Sequence, residues 1–411
     1  MLLIDKVRIF DHLLEQHVNE AAYLWGQRAY VVGQVHQPRF FIHKLELRIA
    51  RHLGGLLVAP DYSWDIALQA ARAGDSGELF VLSNLAFQSG DPRKIDEVLV
   101  IGQDNKSSFP GLASALGWLP DNNVHSFLRL WMESDNAWLR HLSLVVCSIR
   151  RLDPRDYLNP FLRIAANNSE DPAAARALRL IGELKRLDLL PAIQAMQLPE
   201  NSPAHFWSHW SRLLMGDDAA SPAFESWLLN SGPHQVRAIQ LAVRCQPAQT
   251  HLLWLKKLAQ SAQQIPQLIL ALAALGDPRH MSWLLERIAE PAHAQLAGYA
   301  FSTITGVDLV DAKLALQKPS FDDEFDLGNP PGYENLAQPD PALVRQYWKR
   351  NGAGFVHGQH YLAGKIKTPA LMENLLRNGL QGQRQAAAIE LARMDPQRIL
   401  PNINMPEGHR S

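Results

Sequence analysis

The sequence has few cysteines, no long apolar run and no excess of charge of either sign. Its two cysteines, Cys147 and Cys245, lie far apart in segments with helical periodicity, so the sequence predicts no disulfide framework and indicates a reducing compartment. No run approaches the ~18 apolar residues that a membrane-spanning helix needs, and the apolar run at the start is too short for a signal-peptide core. We therefore expect a cytoplasmic protein without membrane insertion.

The near balance of charge argues against a nucleic-acid partner. The 40 basic and 41 acidic residues give a formal net charge of -1, which supplies no long-range field to attract a polyanion. The hydrophobic fraction of 47% is far too high for a disordered chain. The composition thus predicts a folded protein for which no nucleic acid is expected.

A short phrase recurs along the chain at regular intervals. It reads "QSGDPRK" at 88–94, "RRLDPRD" at 150–156, "ALGDPRH" at 274–280 and "ARMDPQR" at 392–398. Pro92, Pro154, Pro247 and Pro278 are separated by 62, 93 and 31 residues, which are two, three and one units of 31. Degraded copies, together with Pro396, bring the total to about eight units. A fixed period of this length is the signature of stacked structural repeats.

Each unit is predicted to be a pair of helices. Apolar residues at mixed helical spacing, as in 138–152, indicate a largely buried first helix. The proline then ends it, because proline lacks the amide that a helix interior needs, while the preceding Asp caps a second helix that begins at the proline. The apolar stripes of these second helices predict that Leu253 and Leu284 are buried.

Helix pairs that cannot bury their apolar faces alone stack into an α-solenoid. The predicted fold is therefore all-α, a HEAT-like α-solenoid of about eight stacked antiparallel helix pairs, with a globular helical bundle as the alternative. The predicted parts are an N-terminal helical cap at 1–70, a HEAT-like repeat array at 71–318, an acidic, proline-rich insertion at 319–345 and a C-terminal helical repeat and cap at 346–411.

Four stretches of the chain carry a family resemblance, at 15–32, 45–67, 300–309 and 360–396. They resemble a family of uncharacterised proteobacterial proteins with HEAT-like repeats, often associated with type VI secretion gene clusters. The resemblance implies an accessory role in secretion. It implies no catalytic residues.

No motif predicts chemistry. His205 and His209 are four residues apart, which is a zinc-ligand spacing, but no third ligand is evident nearby in the sequence. We expect no catalytic residue, no bound metal and no cofactor.

Basic residues recur where the first helices end. They are Arg150, Arg151, Lys185 and Arg186. One interpretation is that they complement the negative ends of helix dipoles. The other is that stacking in register aligns them into a basic ridge that binds a partner.

The segment from Pro319 to Pro341 interrupts the repeat with five prolines, six acidic residues and no Lys or Arg. A connection of this length without helical periodicity is uncommon in a compact array. Either it is a solvated linker, or its aromatic residues anchor it in a groove while its carboxylates meet basic residues of this chain or of a partner. The partner-binding residues of the second interpretation are Phe321, Asp322, Asp323, Glu324, Phe325, Asp326 and Tyr333.

These observations favour a non-enzymatic protein-binding scaffold, adaptor or chaperone whose partner is another protein, namely an effector or a secretion component. The resemblance implies a role in type VI effector loading. One alternative is an immunity-type inhibitor of a secreted toxin. An alternative of another class is a HEAT-repeat enzyme with an unrecognised site.

Overall fold

The described part of the chain is mostly α-helical, which confirms the predicted all-α class. The computed structural model describes residues 11–245, 248–316 and 329–406, without the side chains of 248–252. The helices are α1 Asp11–Val31, α2 Arg39–Leu56, α3 Pro60–Ala73, α4 Ser76–Ser89, α5 Pro92–Asp104, α6 Phe109–Trp118, α7 His125–Met132, α8 Ala137–Arg150, α9 Asn159–Asn167, α10 Pro172–Leu184, α11 Leu190–Gln194, α12 Pro203–Leu214, α13 Phe224–Leu229, α14 Gln235–Cys245, α15 Ala248–Leu258, α16 Ile265–Leu275, α17 Met281–Ile288, α18 Ala294–Thr305, α19 Pro341–Asn351, α20 Pro369–Asn378 and α21 Gln381–Met394.

Two short strands, β1 Tyr361–Leu362 and β2 Lys365–Ile366, pair as an antiparallel hairpin. Within the described ranges, no helix has both the length and the apolar character that crossing a membrane requires.

Every second helix from α4 to α18 contacts the next one in the series. These eight helices begin 28 to 35 residues apart, close to the repeat length of 31. The helices between them pack against members of the series, as α5 does against α4 and α6. The approach of α4 and α6 needs Gly111, because a β-carbon there would lie 1.8 Å from the carbonyl oxygen of Ser76.

The Asp-Pro phrase starts helical turns, as predicted. Asp91 caps α5 by accepting a hydrogen bond from the amide of Arg93, and Asp277 accepts one from the amide of Arg279 ahead of α17. Asp171 caps α10 in the same way. Helix α10 is the first helix of its pair, whereas α5 and α17 are second helices. The phrase therefore starts helices of more than one kind, but the copy at Asp395 is followed by a turn and no helix.

The two leucines predicted to be buried differ in position. Leu284 in α17 is fully buried, whereas Leu253 in α15 is 60% exposed. The prediction for Leu253 is wrong because neighbouring residues of the same helix, Trp254 and Leu255, take the buried positions.

The C-terminal segment crosses the middle of the molecule. Helix α21 contacts α12 and α14, and its first residues reach the N-terminal region: the amides of Gln381 and Gly382 donate to the carbonyl oxygens of Gln37 (2.9 Å) and Val35 (2.8 Å). This position differs from that of a cap that only closes one end of a repeat array.

The residues after α21 continue along the central helices. The amide of Leu400 donates to the carbonyl of Glu183 (2.8 Å), and the side-chain amide of Asn402 donates to the carbonyl of Ile149 (2.7 Å). The N-terminal helix α1 also contacts this segment, because Arg28 donates a hydrogen bond to the carbonyl oxygen of Asn404 (2.6 Å). Residues from both ends of the chain therefore meet over α8 and α10.

Candidate anion-binding cavity

Arg150, the last residue of α8, is used inside the chain. Its Nη1 donates to the carbonyl oxygens of Leu116 (2.9 Å) and Leu119 (2.6 Å) at the end of α6, and its Nη2 pairs with Asp121. A helix end leaves carbonyls without intrahelical partners, and a cation there also complements the dipole. Arg150 therefore has the helix-dipole role, but on the preceding helix of the series.

Lys185 and Arg186 are also paired within the chain. The ammonium group of Lys185 donates to the carbonyl of Leu214 at the end of α12. Arg186 binds Asp153 (2.8 Å) and Asp188 (2.7 Å). Because these side chains are largely buried and have partners, they do not form the exposed basic ridge that one interpretation of the sequence predicted.

Of the insertion residues that were predicted to bind a partner, Tyr333 is the one that lies within the described ranges. It is 3% exposed, its hydroxyl accepts a hydrogen bond from Gln240 (3.0 Å), and its ring packs edge to face on Tyr299. Burial raises the pKa of this phenol. Tyr333 therefore anchors its segment on α14 and α18 of its own chain rather than on a partner. The other predicted residues lie outside the described ranges, so their role stays a prediction: Phe321, Asp322, Asp323, Glu324, Phe325 and Asp326.

His205 and His209 pack on each other and on Trp227, with 4.4 Å between the two imidazole centroids. Burial lowers the pKa of both histidines. Across the described part of the chain, no group of three or more His, Cys, Asp or Glu side chains is placed to hold a metal ion.

A cavity of about 240 Å³ lies where the two ends of the chain meet the central helices. Its walls come from residues 32–35, from α10 and α14, from α21 and from residues 400–404. The charged side chains that line it are three arginines and one carboxylate, namely Arg151, Arg179, Arg237 and Glu183. Amide side chains supply much of its remaining polar surface, among them Gln240, Gln381, Gln385, Asn402 and Asn404.

Glu183 is the anionic centre of this cluster and is completely buried. Its two carboxylate oxygens accept from Arg151 Nη1 (2.9 Å) and Arg179 Nε (2.8 Å), and the hydroxyl of Ser148 donates to the same group. Burial opposes ionisation of this carboxyl, but Arg151, Arg179 and Ser148 together outweigh burial and lower its pKa to about 2. Glu183 is therefore ionised at neutral pH.

Arg151 also fixes the C-terminal residues to the cavity wall. It follows α8 in the left-handed conformation, with φ 56°, which costs a non-glycine residue of order 1 kcal/mol. From there its Nε donates to the carbonyl of Leu400 (2.7 Å). Of the basic residues predicted from the sequence to bind a partner, Arg151 is the one that lines this cavity.

Arg237 has no carboxylate partner. Its guanidinium carbon lies 5.3 Å from the ring centroid of Trp207, and that of Arg179 lies 4.7 Å from the same ring. No hydrogen bond or ion pair joins the guanidinium of Arg237 to another described residue, and the side chain is exposed to solvent. Partial desolvation, followed by the positive charge of Arg179, lowers the pKa of Arg237 to about 10.

Arg176 adds a further positive charge next to this group. It lies on α10 at i, i+3 and i+7 with Arg179 and Glu183, and therefore on one face of the helix. Burial, followed by the charge of Arg179, lowers the pKa of Arg176 to about 10. Arginines in this environment remain charged at neutral pH, so their mutual repulsion persists in the folded chain.

The sequence contained a signal for Arg179 and Glu183 that its interpretation missed. Charged residues on the buried stripe of an otherwise apolar helix, "PAAARALRLIGEL", indicate a polar contact inside the fold, because buried charges need partners. Arg237 gave no such signal, since an arginine outside the buried stripe of an amphipathic helix such as α14 is ordinary.

We found no protein-family model, no curated protein and no solved structure that matches the chain. The family resemblance and the secretion role inferred from the sequence therefore stay predictions.

Proposed function

We propose that this chain is a non-enzymatic binding protein, built as an α-solenoid, whose central cavity binds an anionic ligand. The observation that carries the proposal is the excess of arginine in the cavity. Three guanidinium groups and one carboxylate line it, and the carboxylate already binds two of the three arginines. An anion is the ligand that compensates the remaining positive charge.

The solenoid part of the proposal is supported by the contacts between successive helices of the α4 to α18 series and by their nearly constant spacing. In such an array each unit buries its apolar face on its neighbours. The curvature of the stack then brings residues from distant repeats to one central site.

The cavity favours recognition over catalysis. A general acid or base needs a pKa near the working pH, whereas the pKa of Glu183 is about 2 and its oxygens are occupied by cations. The other polar groups of the wall are guanidiniums and amides, which donate hydrogen bonds and stabilise charge.

We also propose, from the repeat architecture and the sequence resemblance, that the protein is a cytoplasmic adaptor or chaperone for another protein of a secretion system. Crosslinking in the native host followed by mass spectrometry tests this part. Specific enrichment of one effector or secretion component is the expected result. Recovery of the same proteins with an unrelated bait would contradict it.

The cavity part predicts that sulfate binds with a stoichiometry of about one and that Arg237→Gln weakens this binding by about tenfold or more. A hydrogen bond to a charged group is worth about 1.5–3 kcal/mol, and 1.4 kcal/mol is tenfold in affinity. Isothermal titration calorimetry at constant ionic strength measures both quantities. Arg93→Gln is the matched control, because the side chain of Arg93 is 91% exposed and lies on α5, away from the cavity wall.

Thermal unfolding of the same variants separates binding from folding. Arg237→Gln should leave the midpoint unchanged or raise it in the absence of anions, because it removes repulsion with Arg179 and Arg176. Residues retained for binding are often not optimal for stability. A large fall in the midpoint, with sulfate binding intact, would instead assign Arg237 a purely structural role.

A further inference from the structure

We infer that the ligand of this cavity is the phosphate group of a small phosphomonoester. The inference rests on the proposed function and deepens it, because it assigns a chemical class to the anion. It is carried by the charge count of the wall, by the directions from which the donors converge and by the size of the cavity.

The charge of the wall matches a dianion. Arg151, Arg179 and Arg237 contribute three positive charges and Glu183 one negative charge, so the lining has a net charge of +2, and Arg176 beside it adds to the positive field. A phosphomonoester carries about -1.5 to -2 at pH 7, whereas a single carboxylate carries -1. A carboxylate would leave the lining with a net charge of about +1.

The donors reach the cavity from three separate elements. Arg151 follows α8, Arg179 belongs to α10 and Arg237 belongs to α14. A planar carboxylate is satisfied by the two parallel donors of one guanidinium fork. A tetrahedral phosphate presents three terminal oxygens in different directions, and guanidiniums held on different helices suit that geometry better.

Arg179 is oriented by its partners within the chain, and Arg237 stacks on the same ring while its side chain remains exposed. Arg179 is held through Nε by Glu183 (2.8 Å), which leaves its terminal nitrogens as donors. Arg179 and Arg237 both lie against the ring of Trp207. A side chain oriented as Arg179 is loses little entropy on binding, which favours affinity.

The size and the walls of the cavity favour a small molecule. Its volume of about 240 Å³ is below the roughly 300–1,000 Å³ typical of sites for drug-sized ligands. Segments from the N-terminus, the middle and the C-terminus of the chain wall it, as residues 32–35 and 400–404 illustrate. A cavity of this volume suits a phosphate with a short organic group.

Calorimetric titration of the full-length protein at constant ionic strength tests the inference with methyl phosphate, sulfate and glutarate. From pH 5.0 to pH 7.5 methyl phosphate gains its second negative charge, since this ionisation has a pKa of about 6. We expect its affinity to rise by about tenfold over that range, in line with one further charge-assisted hydrogen bond. Sulfate keeps its charge, so its affinity should not rise.

Sulfate also controls for titration of the protein. Any change in the charge of His141 or of His234, whose pKa values are lowered by burial and by a neighbouring arginine, would affect both anions alike. Arg237→Gln should weaken the binding of methyl phosphate by about tenfold. Arg237→Lys should weaken this binding less, because the positive charge is kept. Arg93→Gln should leave the affinity unchanged.

The outcomes are distinguishable. Sulfate binding without methyl phosphate binding, or tighter binding of glutarate than of methyl phosphate, would overturn the phosphate assignment and leave the anion site in place. Failure of all three probes to bind would overturn both proposals. A five-residue phosphoserine peptide that binds as tightly as methyl phosphate would assign the site to a phosphorylated protein segment instead of a small molecule.

Discussion

Glu183→Gln is expected to lower the free energy of unfolding by about 3–5 kcal/mol, the cost of removing one partner of a buried ion pair. The substitution keeps the shape of the side chain but removes the negative charge that Arg151 and Arg179 share. Arg176 and Arg237, whose pKa values are lowered by desolvation and then by the charge of Arg179, would then lie beside a cluster with no negative charge. Urea unfolding followed by circular dichroism measures the loss.

The matched control is Glu225→Gln on the surface. Glu225 pairs with Lys257, and both side chains are about two-fifths exposed, so we expect a change within about 1 kcal/mol. A double variant with Arg179→Gln should lose less than the sum of the two single losses, because the second change removes part of the repulsion. If Glu183→Gln lowers the free energy of unfolding no more than Glu225→Gln does, the ion pairs of Glu183 with Arg151 and Arg179 do not stabilise the fold.

The low pKa of Glu183 also fixes the sign of a pH effect. Its folded value of about 2 lies below the ordinary value of 4.5, so the native state holds this proton less tightly than the unfolded chain does. The stabilisation is fully present above the ordinary pKa and is lost as the pH falls toward 2. Between those two values the wild type should lose more stability than Glu183→Gln does, and equal losses would contradict this assignment.

Leu284→Ala is expected to destabilise the protein by about 2–5 kcal/mol, because Leu284 is fully buried between helices and a truncated side chain leaves a cavity. Leu253→Ala, in the equivalent stripe of α15, should change the free energy of unfolding by less than about 0.5 kcal/mol, since this leucine is 60% exposed. The same denaturation experiment compares them, and similar losses for the two variants would contradict the assigned burial.

The helix pairs could be predicted from the sequence because their signals are local. An Asp cap with a following proline acts within one turn, and apolar spacing reports one helix face. These signals placed the turns at Asp91 and Asp277 and the burial of Leu284 correctly. They failed at Leu253, because several faces of α15 carry apolar residues and only the neighbouring helices select the buried one.

The candidate site could be predicted only in part. Arg151 was singled out as a basic residue at a helix end, but its partners Glu183 and Leu400 lie 32 and 249 residues away. Arg179 and Arg237 had no local feature in common. Their convergence on Trp207 depends on how three consecutive first helices stack, which no single repeat encodes.

The sequence by itself determined the helical class, the period of about 31 residues and most helix starts, because each follows from caps, prolines and spacing within one unit. Only the tertiary structure decided that α21 and residues 395–406 cross the central helices and that three arginines from separate units share one cavity. The physical reason is that caps and apolar spacing act within one helix or one turn. Contacts between residues more than a hundred positions apart, such as Arg28 with Asn404, depend on how helices from distant parts of the chain pack together.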